Sequence, residues 1–283
     1  MKTYRTAPFA DDFVFLEGPR WHAGRLWVSD IWAHTVYAVD LNGVREAVVE
    51  VPQRPSGLGF LPDGTPLIVS MIDRRVYRLE RGALVLHADL APTIAAEIND
   101  MVVDAGGRAY IGNMGYDLFS GAPPRTAEIT LVNPDGSYRH VAAGLDFPNG
   151  MLIKDGGRTL VVAESFGHRV TCFDIAPDGG LDNQRVLAEL PDLIPDGICL
   201  DVDGNIWVAG AMGGAFVQVN PAGEVIARVD VSPEAAIACQ LGGADGQTLF
   251  CLTYDGGIEE LARGQPGAHI ETVRVDAAGA GSP

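Results

Sequence analysis

The chain contains 283 residues, 47% of them hydrophobic, with 37 acidic and 20 basic side chains and a formal net charge of −17 at pH 7. This acidity argues against nucleic-acid binding, because phosphate contacts need a basic face and the longest run of basic residues is Arg74-Arg75. Apolar stretches are short and are broken by Gly, Asp or Pro, which excludes a transmembrane helix, so we expect no membrane partner.

Two features bear on the cellular compartment. The N-terminal segment MKTYRTAPFADD lacks the apolar core of a secretory signal, so we expect a cytoplasmic protein. The four cysteines are Cys172, Cys199, Cys239 and Cys251. They lie far apart in apolar runs and form no C-x-x-C pair, which favours buried free thiols over disulfides or zinc ligands.

A pattern of two short apolar strands joined by a small or polar loop occurs six times along the chain. The first copy reads LWVSDIWAHTVYAVDLNG. Successive copies begin 41 to 51 residues apart, at Leu26, Leu67, Ala109, Leu160, Ile206 and Leu249. Units of this length with Asp-Gly and Asn-Gly turns are typical of propeller blades rather than of solenoid coils or βαβ units. We therefore predict an all-β fold, a six-bladed β-propeller.

Another short run precedes each of these pairs and ends in a tight turn that contains glycine. The clearest of these turns are Asp63-Gly64, Asp155-Gly156 and Asp203-Gly204. We interpret the runs as the inner strands of the blades. Residues before Glu17, especially 13–16, are then available to pair with the last blade and close the ring. The pattern predicts one closed domain over residues 1–283, with at most a turn of helix around 92–97 and 233–238.

In a closed propeller the residues that begin the six inner strands meet around the central channel at one mouth. In chain order they are Glu17, Ser56, Asn99, Asn149, Asp196 and an apolar residue near Ala236. Glu17, Asn99, Asn149 and Asp196 offer the carboxylate and amide oxygens that hard cations prefer, so we predict one divalent metal in the channel. This donor set suits calcium best, with manganese, iron or magnesium as alternatives, and the lack of a nearby His or Cys disfavours zinc.

A competing interpretation is that Asn149-Gly150 and Asp196-Gly197 are ordinary turn dipeptides. Both blades already have a turn at the other end of the same run, at Asp155-Gly156 and Asp203-Gly204. A second turn so close would leave no room for an inner strand. The joint pattern therefore favours the metal site.

The loops between the second and third strands of each blade return to the same mouth and carry mostly apolar and aromatic side chains. The substrate-binding candidates from these loops are Trp32, Met71, Met114, Tyr116, Phe166 and Met212. A few polar groups inside apolar walls are the usual composition of a small-molecule pocket. Packing between blades is the alternative role for Trp32 and Phe166.

Four motifs follow one another at blade spacing. They are Glu17-Gly18-Pro19-Arg20-Trp21, Ile98-Asn99-Asp100-Met101-Val102-Val103-Asp104, Phe147-Pro148-Asn149-Gly150, and Pro195-Asp196-Gly197-Ile198 with Asn205-Ile206-Trp207-Val208. With them the chain resembles the SMP-30/gluconolactonase family of six-bladed, regucalcin-like propellers, from Leu16 to the last repeat. The resemblance implies a divalent metal held by Glu17, Asn149 and Asp196, with Asn99 completing or bordering the shell, and hydrolysis of lactones.

One residue departs from that family's pattern. Sugar-lactone members typically carry an arginine two residues before the asparagine of the Asn-Asp motif, where it contacts substrate hydroxyls, but this chain has Glu97 there. We keep Glu97 as a substrate-binding candidate, although a carboxylate cannot donate hydrogen bonds as a guanidinium does. Together with the methionine-rich rim, this favours a less polar lactone or cyclic ester over an aldonolactone.

The predicted activity is that of a metal-dependent lactonase, in which the cation polarises the carbonyl and a carboxylate takes a proton from water. Asp196 is the first candidate base, and Asp100 and Glu97 are alternatives because a metal-bound carboxylate is a weak base. Phosphotriester hydrolysis on the same scaffold and a non-catalytic propeller that binds calcium or a ligand stay open. No G-x-S-x-G elbow occurs, which disfavours a Ser-His-Asp hydrolase. The oligomeric state stays open.

Overall fold

The computed structural model describes residues 1–118 and 120–281, and β-strands form nearly all of their regular structure. Strands are short because turn residues interrupt each apolar run. At the turn after the second inner strand, the Asp63 carboxylate accepts a hydrogen bond from the Thr65 N–H at 2.9 Å. Gly64 has φ of 84°, a left-handed conformation that residues with a Cβ adopt only with strain. This confirms the turn predicted at Asp63-Gly64.

The strands form six sheets, and each sheet contains four antiparallel strands. Two N-terminal strands, β1 (Lys2–Tyr4) and β2 (Ala7–Phe13), belong to the sheets that form the fifth and sixth blades. Blade 1 consists of β3 (Leu16–His22), β4 (Arg25–Asp30), β5 (Thr35–Val39) and β6 (Arg45–Glu50). Blade 2 consists of β7 (Pro55–Phe60), β8 (Pro66–Ser70), β9 (Arg75–Glu80) and β10 (Ala83–Asp89). Blade 3 consists of β11 (Ile98–Val103), β12 (Ala109–Asn113), β13 (Ala127–Val132) and β14 (Tyr138–Leu145).

The second half of the chain repeats this order. Blade 4 consists of β15 (Pro148–Lys154), β16 (Thr159–Glu164), β17 (Arg169–Ile175) and β18 (Leu181–Glu189). Blade 5 consists of β19 (Pro195–Leu200), β20 (Ile206–Gly210), β21 (Ala215–Val219) and β22 (Val225–Asp230), and β1 adds a fifth strand. Blade 6 consists of β23 (Ala235–Gly242), β24 (Thr248–Tyr254) and β25 (Ala268–Arg274), with β2 as its fourth strand.

The inner strands are neighbours in a ring that runs from β3 through β7, β11, β15, β19 and β23 and back to β3. The six-bladed β-propeller predicted from the repeats is therefore confirmed. Inner strands are buried on both faces because each lies between two others, whereas outer strands such as β6 expose part of their length. Apolar side chains fill the spaces between blades, as where Leu67 and Val69 of blade 2 pack with Met101 and Ile111 of blade 3.

The ring closes through its N-terminal segment, as expected, but with residues earlier than those singled out. The fourth strand of blade 6 is β2, which pairs antiparallel with β25 from Ala7 to Phe13. Residue 16 instead begins the inner strand of blade 1. The neighbouring β1 pairs parallel with β22 of blade 5, so the N-terminal segment joins two blades.

At most a turn of helix was expected around 92–97 and 233–238, and neither place holds a helix. The structure has a turn rather than a helix at 91–93, and β23 begins at Ala235. In the part of the chain that the structure describes, the single helix is α1 (Ile258–Ala262), between β24 and β25. At five residues it is far too short to cross a membrane, and no longer apolar helix occurs in that part. All four cysteines are buried free thiols, as predicted.

Candidate active site

The six residues predicted to begin the inner strands occupy one equivalent position in the fold, the second residue of each inner strand. We call these residues the floor ring: Glu17, Ser56, Asn99, Asn149, Asp196 and Ala236. All six are buried, although five are polar. Each inner strand also shifts its pairing register beside its floor residue. Such bulges redirect side chains and are common next to active sites.

The glycines that follow floor residues serve close approach between inner strands rather than turns. A Cβ on Gly150 would lie 2.4 Å from the backbone oxygen of Asp196, and one on Gly57 would lie 2.6 Å from the Met101 nitrogen. Asn149-Gly150 lies inside β15 and Asp196-Gly197 lies inside β19. The turn interpretation of these dipeptides is therefore excluded.

A cavity of about 280 Å³ opens at this mouth of the channel. Its polar floor includes Glu17, Asn99, Asn149 and Asp196, so the four predicted metal ligands share one cavity. Its walls are mainly apolar and include four predicted substrate-binding residues, namely Trp32, Met71, Met114 and Phe166. The arrangement has the composition of a small-molecule site, with a few polar groups at the base of apolar walls.

Three of the predicted substrate-binding residues do not line this cavity. Glu97 and Tyr116 line a neighbouring cavity of about 210 Å³, which shares the Met114 side chain with the first. Met212 is 67% exposed and lies outside both cavities, while the preceding Ala211 forms part of the wall. A loop side chain can point either way, and the repeat pattern does not determine which.

A chain of hydrogen bonds connects three polar side chains of the floor and extends over four blades, from blade 2 to blade 5. The Ser56 hydroxyl donates to Asn99 Oδ1 at 2.9 Å, and Asn99 Nδ2 donates to Asn149 Oδ1 at 2.8 Å. Asn149 Nδ2 in turn donates to the Ser165 hydroxyl at 3.2 Å, and that hydroxyl donates to the Pro195 carbonyl at 2.7 Å. This chain fixes the two amide side chains with an oxygen lone pair on each still available.

Asp100 is buried beside the floor and is held by a cation. Arg20 Nη2 donates to Asp100 Oδ1 at 2.9 Å, and the same nitrogen donates to the Met101 carbonyl. Both side chains are almost fully buried, so this ion pair joins the inner strands of blades 1 and 3 beneath the cavity. Burial raises the pKa of Asp100, and the adjacent Arg20 charge opposes that rise.

Glu17 and Asp196 form no ion pair among the residues described, and for Glu17 the Arg20 charge opposes the pKa rise less than burial and the neighbouring carboxylates cause it. Burial raises the pKa of Glu17 well above its usual value, and the charges of Asp196 and Asp100 raise it further. Burial and the Asp100 charge likewise raise the pKa of Asp196. Asp196 Oδ1 is buried and has no hydrogen-bond partner within the described chain. Two buried carboxylates with an unused oxygen are costly unless a further positive group joins them.

These residues fit a divalent cation. Arg20 balances Asp100, which leaves the charges of Glu17 and Asp196 to be neutralised at the floor. No three His, Cys, Asp or Glu side chains in the described ranges are arranged to hold a metal, so a site here would combine two carboxylates with amide oxygens. Such an all-oxygen set is typical of calcium or magnesium sites and unlike zinc sites.

Sequence reasoning missed several residues of the site. Phe15, Arg54, Phe147 and Ile194 line the cavity, and each lies two positions before a floor residue. The same repeat that indicated the floor ring could have indicated this second ring. By contrast, the positions of Ser165 in the hydrogen-bond chain and of Leu261 from α1 at the rim carry no repeat signal.

Comparison with known proteins agrees with this fold. Pentonolactonase XacC of Haloferax volcanii is 27% identical over 278 residues, which cover 94% of this chain and 92% of that protein. Regucalcin of Danio rerio is 31% identical over 177 residues, which cover 60% of this chain and 59% of that protein. A calcium-binding regucalcin of Agrobacterium tumefaciens has the same fold, with a TM-score of 0.83 and 21% identity over 100% of this chain and 98% of that one.

The SMP-30/Gluconolactonase/LRE-like region matches residues 15–255, which include all six inner strands and the whole floor ring. The first and last residues of the match lie in the segment before β3 and just after β24. On this match, the chain belongs to the SMP-30/gluconolactonase/LRE-like family.

Proposed function

We propose that this protein is a divalent-metal-dependent hydrolase that opens a lactone, with calcium as the preferred metal. The observation that carries the proposal is the pair of buried carboxylates of Glu17 and Asp196 at the base of an apolar cavity, neither of which forms an ion pair in the described chain. The likeness to a pentonolactonase over nearly the whole chain supports a lactone as substrate.

Glu17, Asn149 and Asp196 would hold the metal, and Asn99 would complete or border its shell. When bound, a divalent cation supplies a Lewis acid that polarises the ester carbonyl and stabilises the negative charge that develops on its oxygen. The hydrogen bonds from Ser56 to Asn99 and from Asn99 to Asn149 keep these amides oriented before substrate arrives. The apolar walls exclude bulk water and bind the ring of the substrate.

Asp196 is our choice of general base, because it lines the cavity and its buried Oδ1 has no hydrogen-bond partner in the described chain. Asp100 is the weaker candidate, since its carboxylate is already engaged by Arg20 and by the Met101 N–H. Glu97 lies in the neighbouring cavity. In the proposed step, water adds to the carbonyl carbon and gives its proton to Asp196. The ring C–O bond then breaks as Asp196 returns that proton to the leaving ring oxygen, which becomes the hydroxyl group. The new carboxylic acid group releases one proton to solvent at neutral pH.

Proton release from a panel of sugar, alkyl and aromatic lactones tests the proposal. We expect turnover of at least one lactone that chelation abolishes and that added Ca²⁺, Mn²⁺, Mg²⁺, Fe²⁺ or Zn²⁺ restores to different extents. Asp196→Asn should lower kcat by a factor of about 10² to 10⁴, the usual contribution of a general base. The matched control is Asp203→Asn, an exposed aspartate at the far end of the same blade, which should retain wild-type rates.

Near-normal turnover by Asp196→Asn with metal still bound, measured by calorimetric titration, would refute the role of base. A parallel panel of phosphotriesters distinguishes the second hydrolase. If neither panel is turned over with any of these metals, while a metal still binds at the floor, the protein is a binding propeller rather than an enzyme.

A further inference from the structure

A second ring of six residues lies two positions before the floor ring, one residue in each blade. We call it the upper ring: Phe15, Arg54, Glu97, Phe147, Ile194 and Glu234. Phe15, Arg54, Phe147 and Ile194 line the cavity above the floor. Three of these four are apolar, so Arg54 is the charged group of the upper ring in this cavity.

The surroundings of Arg54 hold its guanidinium in place without neutralising it. Its Cζ lies 3.7 Å from the centroid of the Trp32 ring, in a cation–π contact with another cavity residue. Its Nε is buried and has no hydrogen-bond partner in the described part of the chain. No carboxylate of residues 1–118 and 120–281 forms an ion pair with it.

The backbone at Arg54 is also held. Its N–H donates to the Val51 carbonyl at 3.0 Å, and its own carbonyl accepts from the Met71 N–H at 2.9 Å. Its φ is 68°, a left-handed conformation that is unfavourable for an arginine and persists only where surrounding contacts impose it. Arg54 therefore presents a partly buried, preorganised set of donors to the cavity.

We propose that Arg54 selects substrates that carry a carboxylate on the lactone ring, so that the substrate class is an anionic lactone with an otherwise apolar body. This inference rests on the proposed lactonase function. A guanidinium with free donors matches a carboxylate bidentately, and such a charge-assisted pair is strong where water is scarce. A divalent cation would neutralise Glu17 and Asp196, so Arg54 would supply the charge that remains in the cavity.

Glu97 does not satisfy Arg54. The Arg54 charge opposes the rise that burial causes in the pKa of Glu97, so the two groups interact electrostatically. The Glu97 carboxylate nevertheless lies in the adjacent cavity, with its Oε2 buried and without a partner among the residues described. A carboxylate that arrives with the substrate is therefore the group that completes the hydrogen bonding of Arg54.

The test uses two lactones of the same size that differ in charge, 5-oxotetrahydrofuran-2-carboxylate and its carboxamide, with the metal-loaded enzyme. We expect kcat/KM to be at least about 10-fold higher for the carboxylate. Arg54→Gln should lower kcat/KM for the carboxylate about 10- to 100-fold, mainly by raising KM. The same substitution should change kcat/KM for the carboxamide less than about 3-fold. Arg54→Lys should show part of the wild-type preference for the carboxylate, because lysine keeps the positive charge but lacks the paired N–H donors of the guanidinium.

Arg74→Gln is the matched control. It makes the same change in net charge on the neighbouring loop, but Arg74 lines the adjacent cavity and not this one. It should leave the preference for the carboxylate intact, which separates direct contact from general electrostatic attraction. Thermal melting of each variant checks that the fold is retained.

A binding measurement keeps this inference separate from the proposed function. 3-Oxocyclopentane-1-carboxylate has a methylene in place of the ring oxygen and cannot be hydrolysed. Calorimetry should show that Arg54→Gln weakens its binding about 10- to 100-fold and leaves binding of its carboxamide unchanged. Equal effects of Arg54→Gln on charged and neutral ligands would overturn the role of Arg54 even if lactones are hydrolysed. Failure of all lactones to react, with this binding difference intact, would overturn the hydrolase but not the anion site.

Discussion

At the scale of single residues, the floor ring combines groups that oppose folding with groups that support it. Asn99 and Asn149 are buried but bonded to neighbouring polar groups, so they cost little. Glu17 and Asp196 are buried close enough to raise the pKa of Glu17 through the charge of Asp196. Proteins often retain such unfavourable arrangements at functional sites, where stability is exchanged for chemistry.

Replacing Asp196 by Asn should therefore stabilise the protein when no metal is present. The substitution removes one of two unbalanced buried charges, and we expect the free energy of unfolding in a chelator to rise by about 1–3 kcal/mol, or the Tm by several degrees. With added calcium the wild type should be more stable than Asp196→Asn, because calcium binds to and stabilises the wild type more than the variant. Thermal melts with and without calcium measure both effects.

The same substitution at Asp201 provides the control. This buried carboxylate is fully engaged, since it accepts hydrogen bonds from the Asp203 and Asn205 N–H groups and from the side chains of Asn205 and Gln218. Asp201→Asn should lower stability with or without metal. A lower Tm for metal-free Asp196→Asn would contradict the idea that the floor carries unbalanced charge.

At the scale of elements, two buried carboxylates fix the chain just before a floor residue. Asp30 ends β4 and accepts hydrogen bonds from the Val14 N–H at 2.9 Å and the Phe15 N–H at 3.0 Å, directly before Glu17. In blade 4 the corresponding residue at the end of β16 is Glu164. It accepts from the Asp146 N–H at 2.8 Å, shortly before Asn149. The second strand of a blade thus orients the residue that its inner strand presents to the channel.

Glu164→Gln should test this connection through stability and pH. Burial tends to raise the pKa of Glu164, but hydrogen bonds from Arg169, Thr171 and the Asp146 N–H outweigh it and hold the pKa below the usual value. The carboxylate therefore stabilises the fold above pH 4.5, and this contribution is lost as the pH falls through the lowered pKa. We expect the variant to lose about 2–4 kcal/mol at pH 7 and to differ less from the wild type in acid.

Urea denaturation at pH 7 and at low pH measures that difference. Glu46→Gln is the matched control, because Glu46 pairs with Arg25 at 2.6 Å but on an exposed surface. Its effect should stay within about 0.5 kcal/mol at both pH values. A Glu164→Gln variant as stable as Glu46→Gln would show that the buried carboxylate does not organise blade 4.

At the scale of the whole molecule, the N-terminal segment completes the ring. Strand β2 supplies the outer strand of blade 6, where Phe13 is buried and the Phe9 ring lies 5.4 Å from that of Phe250. Strand β1 only adds to a sheet that already has four strands of its own. The two strands adjoin in sequence but should therefore contribute unequally to folding.

Two truncations separate these contributions. Removal of residues 2–5 leaves six four-stranded blades. We expect this truncation to lower the free energy of unfolding by only about 1–2 kcal/mol and to cause no aggregation. Removal of residues 2–13 exposes the edge of β25 and opens the ring, so we expect aggregation or loss of cooperative melting. Thermal melting and size-exclusion chromatography report both outcomes. Equal stability of the two truncated chains would show that β2 does not close the propeller.

The sequence by itself determined the architecture and the floor ring. The repeat located Glu17, Asn99, Asn149 and Asp196 at equivalent positions, and the structure has each as the second residue of its inner strand. This was predictable because strand alternation and turn chemistry are local, so equivalent positions in successive repeats have equivalent places in the fold.

Only the tertiary structure decided which other side chains share the site. Arg20 and Asp100 are 80 positions apart and pair because β3 and β11, the inner strands on either side of β7, both border the central channel. Arg54 lines the cavity, while Glu97 from the same ring lines the next one and Met212 points to solvent. These outcomes depend on packing between blades and on loop conformation, which are set by contacts between segments distant in the chain rather than by any local pattern.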